Sequence, residues 1–259
     1  MTEAAGRLAG RAALVTGAAG AIGSAIARAF AAAGADVALA DRTPTDAVAA
    51  QVAALGRRAV SLAADVASRA EVAAMVGQTV AALGRLDILV TAAGIVATGA
   101  AATLAEAEWD RVIAINLKGT FLCCQAAIAP MRAQHYGRMI VIGSIIGKNG
   151  GNARPWLDPA EQNRSGNIAY GAAKAGTHAI TQFLARELAA DGITVNAIAP
   201  GPIRTAMTGS FPPALAALIP VGRMGQPHDV ADAALFLAGE SAGFVTGEIL
   251  DVNGGMWCD

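Results

Sequence analysis

The chain of 259 residues is 54% hydrophobic but only 15% charged, and its formal net charge is −1. A balanced charge without a basic tract gives no reason to expect binding to nucleic acid or to an anionic membrane surface. No apolar run approaches the roughly 18 residues that would span a bilayer, and Glu3 stands where a signal peptide would carry positive charge. We therefore expect a soluble cytoplasmic protein.

The residues that most often bind metals are few and scattered. Cys123 and Cys124 are adjacent in a helical pattern, which forms neither a disulfide framework nor a metal site. The histidines His135, His178 and His228 lie far apart in the chain. We expect reduced packing cysteines, structural or surface histidines, and no metal ion.

The first predicted unit is a strand, a glycine-rich turn and a helix. An apolar strand over 12–16 leads into the turn GAAGAIG over 17–23, and a helical pattern continues through Phe30. Such a turn lets backbone N–H groups at the positive end of a helix approach a pyrophosphate closely. A glycine cluster by itself, however, is more often only a turn.

The second strand, over 36–40, adds a more specific signal because it ends at Asp41 and Arg42. A carboxylate at this place can accept hydrogen bonds from the hydroxyls of an adenosine ribose, and it would repel a 2′-phosphate. The pattern favours NAD as the cofactor. The neighbouring Arg42 keeps NADP open as the alternative.

Strand and helix patterns alternate from the second strand onward. Helices are predicted over 46–55 and 69–83, and strands over 60–64 and 86–90. These strands are too apolar to have one face in water. They therefore indicate a parallel sheet that is covered by helices on both sides.

A long helical pattern over 111–134 follows an amphipathic region that begins at about Glu106. It carries Asn116 among apolar neighbours, so this amide is either satisfied in the core or positioned for function. The fifth strand, over 138–143, ends at Ser144. A hydroxyl thus stands at the carboxyl end of a buried strand.

The next helix carries Tyr170 near its start and Lys174 four residues later. At this spacing the two side chains share one face, so the ammonium can lie beneath the phenol. A cation at ~4 Å in an effective dielectric of ~20 supplies roughly 4 kcal/mol, or about three pK units, in favour of the phenolate. Such a tyrosine can exchange protons near neutral pH, although this pair usually marks only a solvated face.

The end of the chain completes the alternation without a linker or a break in composition, so we expect a single domain over 1–259. The remaining predicted elements are a helix over 169–190, a strand over 194–199 that runs into Pro200 and Gly201, a helix over 227–237 and a last strand over 248–252.

Taken in order, these features resemble the short-chain dehydrogenase/reductase family. Its marks are a Thr-Gly-rich turn, an Asn-Ala-Gly type strand end, a serine and a Tyr-x-x-x-Lys motif, and the resemblance extends from Gly10 to Gly255. It implies a single Rossmann-like, doubly wound α/β domain with a mostly parallel seven-stranded sheet and helices on both faces. The matching positions are Thr16 to Gly23, Asp65, Val66, Asp87, Ala93, Gly94, Asn116, Ser144, Tyr170 to Lys174, Asn196, Pro200, Gly201 and Asn253 to Gly255.

The resemblance also implies a catalytic set of four residues. Tyr170 would exchange the proton of the substrate hydroxyl while hydride passes between the substrate carbon and the nicotinamide, and Ser144 would hold the substrate oxygen. Lys174 would lower the pKa of the phenol and bind the nicotinamide ribose, and Asn116 would support a water that relays protons. The positions implied to bind the cofactor are Gly17, Gly20, Ala21, Ile22, Gly23, Asp41, Arg42, Asp65, Val66, Ala93, Gly94, Tyr170, Lys174, Pro200, Gly201, Ile203 and Thr205.

The chain departs from the family pattern at three places. Ala21 stands where the turn usually has glycine, and Thr91 and Ala92 replace the usual asparagines, which removes side-chain contacts near the cofactor. Ser144 and Tyr170 are also much farther apart in sequence than is usual in the family. This last departure predicts an insertion between the fifth strand and the helix.

The predicted insertion covers about 147–167 and would border the substrate cleft at the carboxyl ends of the strands. One interpretation is a solvated, glycine-rich excursion or an interface element. The other is that Arg154 or Arg164, with Trp156, closes over a polar or anionic substrate, since arginine binds carboxylates bidentately and indole faces stack on sugar rings. A later segment, 206–221, resembles the mobile substrate lid of the family.

The resemblance implies an NAD-dependent oxidoreductase that interconverts a secondary alcohol and a ketone, or a sugar hydroxyl and its oxidised form. The loop favours a polar or anionic small molecule as the substrate. The enzymatic alternative is a reductase of 3-oxoacyl thioesters carried on CoA or acyl carrier protein, and the non-enzymatic one is an NAD-binding sensor or scaffold. The family also suggests a homotetramer, joined through the helices that carry Asn116 and Tyr170.

Overall fold

The computed structural model describes residues 6–151, 156, 158, 160–208, 211 and 213–258. Its described strands form one seven-stranded sheet of order β3-β2-β1-β4-β5-β6-β7, in which every pair is parallel. The parallel, doubly wound sheet that the sequence implies is therefore confirmed. The strands are β1 Ala12–Thr16, β2 Asp36–Asp41, β3 Ala59–Ala63, β4 Ile88–Thr91, β5 Gly137–Ile142, β6 Ile193–Pro200 and β7 Ile249–Val252.

Helices connect successive strands and cover both faces of the sheet. A π-helical turn, Ile113–Lys118, joins α4 to α5, and short 3₁₀ turns lie at Ala101–Thr103, Ala189–Asp191, Ala206–Thr208 and Glu240–Ala242. The helices are α1 Ala21–Ala32, α2 Asp46–Ala54, α3 Arg69–Leu83, α4 Glu106–Val112, α5 Gly119–Ala133, α6 Ile146–Asn149, α7 Glu161–Ser165, α8 Ile168–Leu188, α9 Pro213–Ala216 and α10 Pro227–Ala238.

Two apolar cores lie on the opposite faces of the sheet, because successive strand residues point to opposite sides. Ala13 and Val15 of β1 pack with α1 and α10, whereas Ala12 and Leu14 pack with α3, α5 and α8. All of β1 is buried. This explains why its sequence is a continuous apolar run rather than an alternating one.

The helix α3 has the bounds that the sequence predicts because both of its ends carry strong local signals. The Ser68 hydroxyl accepts a hydrogen bond from the N–H of Glu71 at 3.4 Å, which satisfies one of the unpaired donors of the first turn. At the other end Gly84 has a φ of +84°, a conformation that glycine adopts without strain.

The helical stretch Glu106–Ala133 is longer and more continuous than the sequence pattern indicates. Among the described residues it is the one helix that is long and apolar enough to cross a membrane by length and composition, with an 18-residue window of mean hydropathy 1.6. Polar residues such as Asn116, Lys118 and Gln125 interrupt the helix, so it is not an uninterrupted apolar run. Within the fold, 44% of that window is buried, and α5 packs on α3, α8 and the sheet, as a core helix does.

The strand order places a cleft at the carboxyl ends of β1 and β4. From β1 the chain moves outward through β2 and β3, and it then returns to place β4 on the other side of β1. The connecting helices diverge at such a switch point and leave room for a ligand beyond the strand ends.

The segments that would border the substrate carry short helices. Between β5 and α8 lie α6 and α7, and α6 packs against α8. The expected lid, 206–221, contains α9, and its Leu215 and Ile219 are buried. This segment contacts the residues that follow β7, since the N–H of Val221 donates to the carbonyl of Gly254 at 3.1 Å.

Candidate functional site

Tyr170, Lys174 and Ser144 meet where α8 packs against the end of β5. The Ser144 and Tyr170 side chains are hydrogen-bonded to each other. The Lys174 Nζ atom lies 5.6 Å from the centroid of the Tyr170 ring, on the same helix face. This ammonium donates a hydrogen bond to the carbonyl of Ile142 at 2.5 Å. The predicted geometry of hydroxyl, phenol and amine is therefore present.

Burial sets the protonation of this cluster. Burial raises the pKa of Tyr170, and the hydrogen bond from Ser144 opposes that rise. Burial lowers the pKa of Lys174 to about 8. The sequence leads us to expect an ammonium that depresses the pKa of the phenol. In the structure the pKa of Tyr170 is raised instead. The Lys174 Nζ atom does not lower it, because this atom is turned to the Ile142 carbonyl and is itself desolvated.

Asn116 lies in the π-helical turn and is fully buried. Its amide donates to the carbonyl of Ile95 at 2.8 Å and accepts from the N–H of Ile95 at 2.9 Å. A Cβ atom built on Gly94 would lie 3.5 Å from the Asn116 Oδ1 and 3.9 Å from the Lys174 Nζ. Both polar side chains therefore approach the backbone at Gly94 to within van der Waals contact of an added Cβ atom.

The glycine-rich turn is held close to the neighbouring strand end. Gly17 has a φ of +66°, and a Cβ atom built on it would lie 2.6 Å from the backbone N of Ala93. Any side chain at Gly17 is therefore excluded by both conformation and space. The N–H of Gly20 donates to the Gly17 carbonyl at 3.0 Å, and Ala21 begins α1 with an exposed side chain. The methyl group of Ala21 thus fits without distorting the turn.

Asp41 connects the end of β2 to the glycine turn. One carboxylate oxygen accepts a hydrogen bond from the N–H of Ala19 at 3.0 Å, and the other accepts from the N–H of Thr43 at 2.9 Å. Each oxygen retains a lone pair that can accept from a ligand hydroxyl. Arg42 points instead to Asp65, with 3.6 Å between the charged groups.

A cavity of about 200 Å³ runs from the glycine turn past Asp41 to the end of β4. Its walls offer close backbone approach at the glycines and a carboxylate at one end, so the residues present fit a dinucleotide. The sequence did not predict four lining residues, namely Ala40, Ala64, Ile95 and Ile115. Each of them is next in sequence to a residue that was predicted to belong to the site, and this adjacency could have identified them. The cavity is lined by Gly17, Gly20, Ala40, Asp41, Arg42, Ala64, Asp65, Val66, Ala92, Ala93, Gly94, Ile95 and Ile115.

Some predicted cofactor residues serve packing as well. Ile22 packs against the core and Gly23 is buried. Ile203 is buried in the same core and forms a bridge with Gly225. Pro200 ends β6 and Gly201 follows it. Among these residues, the structure brings none into the cavity beside the glycine turn.

The next position of this segment, Thr205, is partly exposed. Its N–H donates to the Thr208 hydroxyl at 3.0 Å. The hydroxyl of Thr208 in turn donates to the carbonyl of Ile203 at 2.6 Å. These bonds hold the start of the expected lid in a compact turn.

The predicted substrate residues are only partly described. Trp156 is half exposed. The backbone of Arg164 lies in α7, but its side chain falls outside the described part of the structure, as does all of Arg154. A larger concavity, about 660 Å³, lies away from this site at the amino ends of the strands and is bordered by Arg7, Arg11 and others. It contains none of the predicted catalytic residues.

Comparison with known proteins agrees with this arrangement. A sequence model of a family described as enoyl-(acyl carrier protein) reductase matches residues 17–257. The chain is 42% identical over 251 residues to the (2S)-[(R)-hydroxy(phenyl)methyl]succinyl-CoA dehydrogenase subunit BbsD of Thauera aromatica, covering 95% of this chain and 96% of the relative. It is 37% identical over 252 residues to the 3-oxoacyl-[acyl-carrier-protein] reductase FabG of Escherichia coli strain K12, covering 96% and 98%.

A solved structure has the same fold over nearly its whole length. A short-chain type dehydrogenase/reductase from Mycobacterium marinum superposes with a TM-score of 0.89 at 33% identity, and the match covers 97% of each chain. Sequence model, relatives and solved structure therefore agree from the glycine turn to the last strand. The chain belongs to the short-chain dehydrogenase/reductase family and is an oxidoreductase acting on CH–OH groups.

Proposed function

We propose that this enzyme interconverts a secondary alcohol and a ketone with NAD as its preferred cofactor. The observation that carries the cofactor preference is the Asp41 carboxylate in the wall of the cavity beside the glycine turn. An acceptor at this place suits the free hydroxyls of an adenosine ribose, and its charge repels a 2′-phosphate. Arg42, the cation that would favour NADP, is paired with Asp65.

Each side chain of the site has its own role in binding the substrate or transferring its proton. The cofactor, when bound, accepts or supplies the hydride. The Ser144 hydroxyl holds the substrate oxygen, and the phenol of Tyr170, which is bonded to Ser144, exchanges the substrate proton. Burial lowers the pKa of Lys174 to about 8, so this amine releases its proton closer to neutral pH than an exposed lysine does. Asn116 holds the Ile95 backbone beside Gly94 and shapes the path for a relay water.

Acyl thioesters are the substrate class that we propose first. The names of two relatives support this choice, since one is a substituted succinyl-CoA dehydrogenase and the other is a 3-oxoacyl-[acyl-carrier-protein] reductase. A hydroxyacyl thioester with a second carboxylate, as in a succinyl group, is also an anionic compound. The proposals of a thioester and of a polar or anionic substrate are therefore compatible.

The cofactor proposal is tested with the variant Asp41→Asn. We expect the Kd for NAD to rise about tenfold because one charged acceptor for the ribose is lost, whereas the Kd for NADP should fall or stay unchanged. Isothermal titration calorimetry measures both constants. Asp46→Asn, an exposed carboxylate in the first turn of α2, is the matched control. A wild-type protein that binds NADP more tightly than NAD would overturn the proposal.

The substrate proposal is tested with a panel of 3-hydroxyacyl-CoA thioesters, with and without a second carboxylate, beside free hydroxy acids, polyols and sugars. Formation of reduced nicotinamide is followed by absorbance. We expect the largest kcat/KM for a thioester. Turnover of free hydroxy acids or sugars alone would contradict the thioester and leave the polar small molecule as the substrate class.

We further propose a single cofactor-binding and catalytic domain that works in the cytoplasm as a homotetramer. In support, all strands of the described residues belong to one sheet. Cys123 and Cys124 are buried free thiols, which suits a reducing compartment. Trp109, Phe121 and Phe183 expose large apolar surfaces on α4, α5 and α8, which suits burial between subunits.

A further inference from the structure

His178 lies on α8 one helical turn beyond Lys174 and two turns beyond Tyr170, and so on the same helix face. Only 7% of its surface is exposed. The backbone N–H of Ser144 donates a long hydrogen bond to the His178 Nε2 atom, with 3.5 Å between the nitrogens. The histidine therefore contacts the backbone of the serine of the proposed catalytic set.

Two glycines make the room for this imidazole. A Cβ atom built on Gly143 would clash with the His178 Nε2 atom, and one built on Gly147 would lie 3.0 Å from its Cε1 atom. The backbone on both sides of Ser144 thus lacks side chains where the ring lies. An aliphatic side chain would fill the same space without the cost of burying a polar ring, so packing alone does not account for a histidine.

The hydrogen bond to His178 satisfies a backbone N–H that lies beyond the end of the sheet. The neighbouring N–H groups of Gly143 and Ile145 donate to carbonyls of β6, so the N–H of Ser144 faces the other side. On that side β4 has already ended, because its last residue, Thr91, pairs with Val141. The imidazole supplies an acceptor to this buried N–H beyond the end of the strand ladder.

Three successive turns of α8 therefore hold the end of β5. Tyr170 is hydrogen-bonded to the Ser144 side chain. Lys174 donates a hydrogen bond to the Ile142 carbonyl, and His178 accepts one from the Ser144 N–H. We propose that His178 is a positioning residue that fixes the backbone of Ser144 and so aims its hydroxyl at the substrate oxygen. This inference rests on the proposed role of Ser144. It requires the neutral tautomer in which Nδ1 carries the proton and Nε2 accepts.

Kinetics of two variants test the proposal. His178→Leu keeps an apolar side chain of similar size but removes the acceptor, and we expect kcat to fall about tenfold while KM and the Kd for NAD stay within about twofold. His178→Gln places an amide oxygen near the position of Nε2 and should restore kcat to within about threefold of wild type. Equal kcat for wild type and His178→Leu would overturn the proposal, as would equal losses in both variants.

A double-mutant cycle separates positioning from general destabilisation. If His178 acts through Ser144, the change His178→Leu should lower the residual kcat of the Ser144→Ala enzyme by less than about twofold. A tenfold loss in that background would show that the histidine acts elsewhere. Wild-type turnover, measured first, tells failure of the proposed reaction apart from failure of this inference.

A measurement on the unaltered protein covers the case in which His178→Leu does not fold. Long-range ¹H–¹⁵N spectra of enzyme labelled at histidine report which ring nitrogen carries the proton, and the exposed His135 and His228 are assigned by substitution with glutamine. We expect the His178 Nε2 atom to be unprotonated at pH 7.5. A protonated Nε2 would contradict the proposed bond whether or not the enzyme turns over.

Discussion

Tyr170 and Lys174 show how one residue spacing defines a candidate site at the scale of single side chains. Their spacing of one helical turn stacks amine beneath phenol, and the structure places the Lys174 Nζ atom 5.6 Å from the ring centroid. That spacing does not show which group accepts a hydrogen bond from the amine. Contact with the Ile142 carbonyl depends on how closely α8 packs against β5.

The variant Tyr170→Phe should reduce kcat by at least about a hundredfold, because the proton-exchanging group is removed, while the Kd for NAD changes little. Steady-state kinetics and calorimetry on the same preparation measure the two effects. The chain has two tyrosines, so Tyr136→Phe, away from the cavity between Arg11 and Arg138, is a matched control. Retained turnover in the Tyr170→Phe enzyme would rule out the assignment.

The lowered pKa of Lys174 predicts a dependence of stability on pH. From about 8 up to its ordinary value of 10.5, the unfolded chain binds this proton and the folded chain does not. The free energy of unfolding contributed by Lys174 should therefore rise with pH through this window. Urea unfolding of wild type and Lys174→Met from pH 7.5 to 9.5 measures the difference. Parallel curves for the two proteins would contradict a depressed pKa.

At the scale of elements, the same change from glycine to alanine should have opposite effects on stability at Gly17 and at Gly77. Gly17→Ala should lower the free energy of unfolding by about 1–3 kcal/mol or more and prevent cofactor binding, because the added methyl group meets the Ala93 backbone. Gly77, inside α3, has open space where its Cβ would be, so Gly77→Ala should stabilise by about 0.5–1 kcal/mol. Denaturant unfolding and NAD titration of both variants test this contrast. A tolerated Gly17→Ala would contradict the close approach.

The π-helical turn at Ile113–Lys118 is an element that periodicity did not predict. The pattern in this stretch indicates only a long helix with Asn116 among apolar residues, and it leaves open whether the amide is structural or functional. In the structure the turn is where Asn116 reaches both backbone groups of Ile95. A π turn adds a residue to the helical circuit, and its position depends on the packing of α4 and α5 against α8.

At the scale of the whole molecule, the exposed apolar side chains predict assembly. Phe183 on α8 is 78% exposed, which favours burial against another subunit. We expect light scattering behind size exclusion to give four times the mass of one chain, and Phe183→Glu to give a smaller species. Leu55→Glu, at an exposed apolar position after α2, is the control and should remain a tetramer. A wild-type monomer would contradict the proposed assembly.

The sequence by itself determined those features that depend on neighbours along the chain. The order of strands and helices, the glycine turn and the Asp41 strand end follow from local periodicity and turn chemistry, and the strand bounds agree with the structure to within about two residues. The pairing of Tyr170 with Lys174 follows from helical spacing in the same way. Family resemblance then supplied the strand number and the sheet that the structure confirms.

Only the tertiary structure decided which distant groups meet. Lys174 and Ile142, or His178 and Ser144, lie far apart in the chain and touch because α8 packs on the end of β5. The burial that raises the pKa of Tyr170 and lowers that of Lys174 is likewise a property of the packed molecule. Desolvation and contact depend on three-dimensional neighbours, which no local pattern specifies.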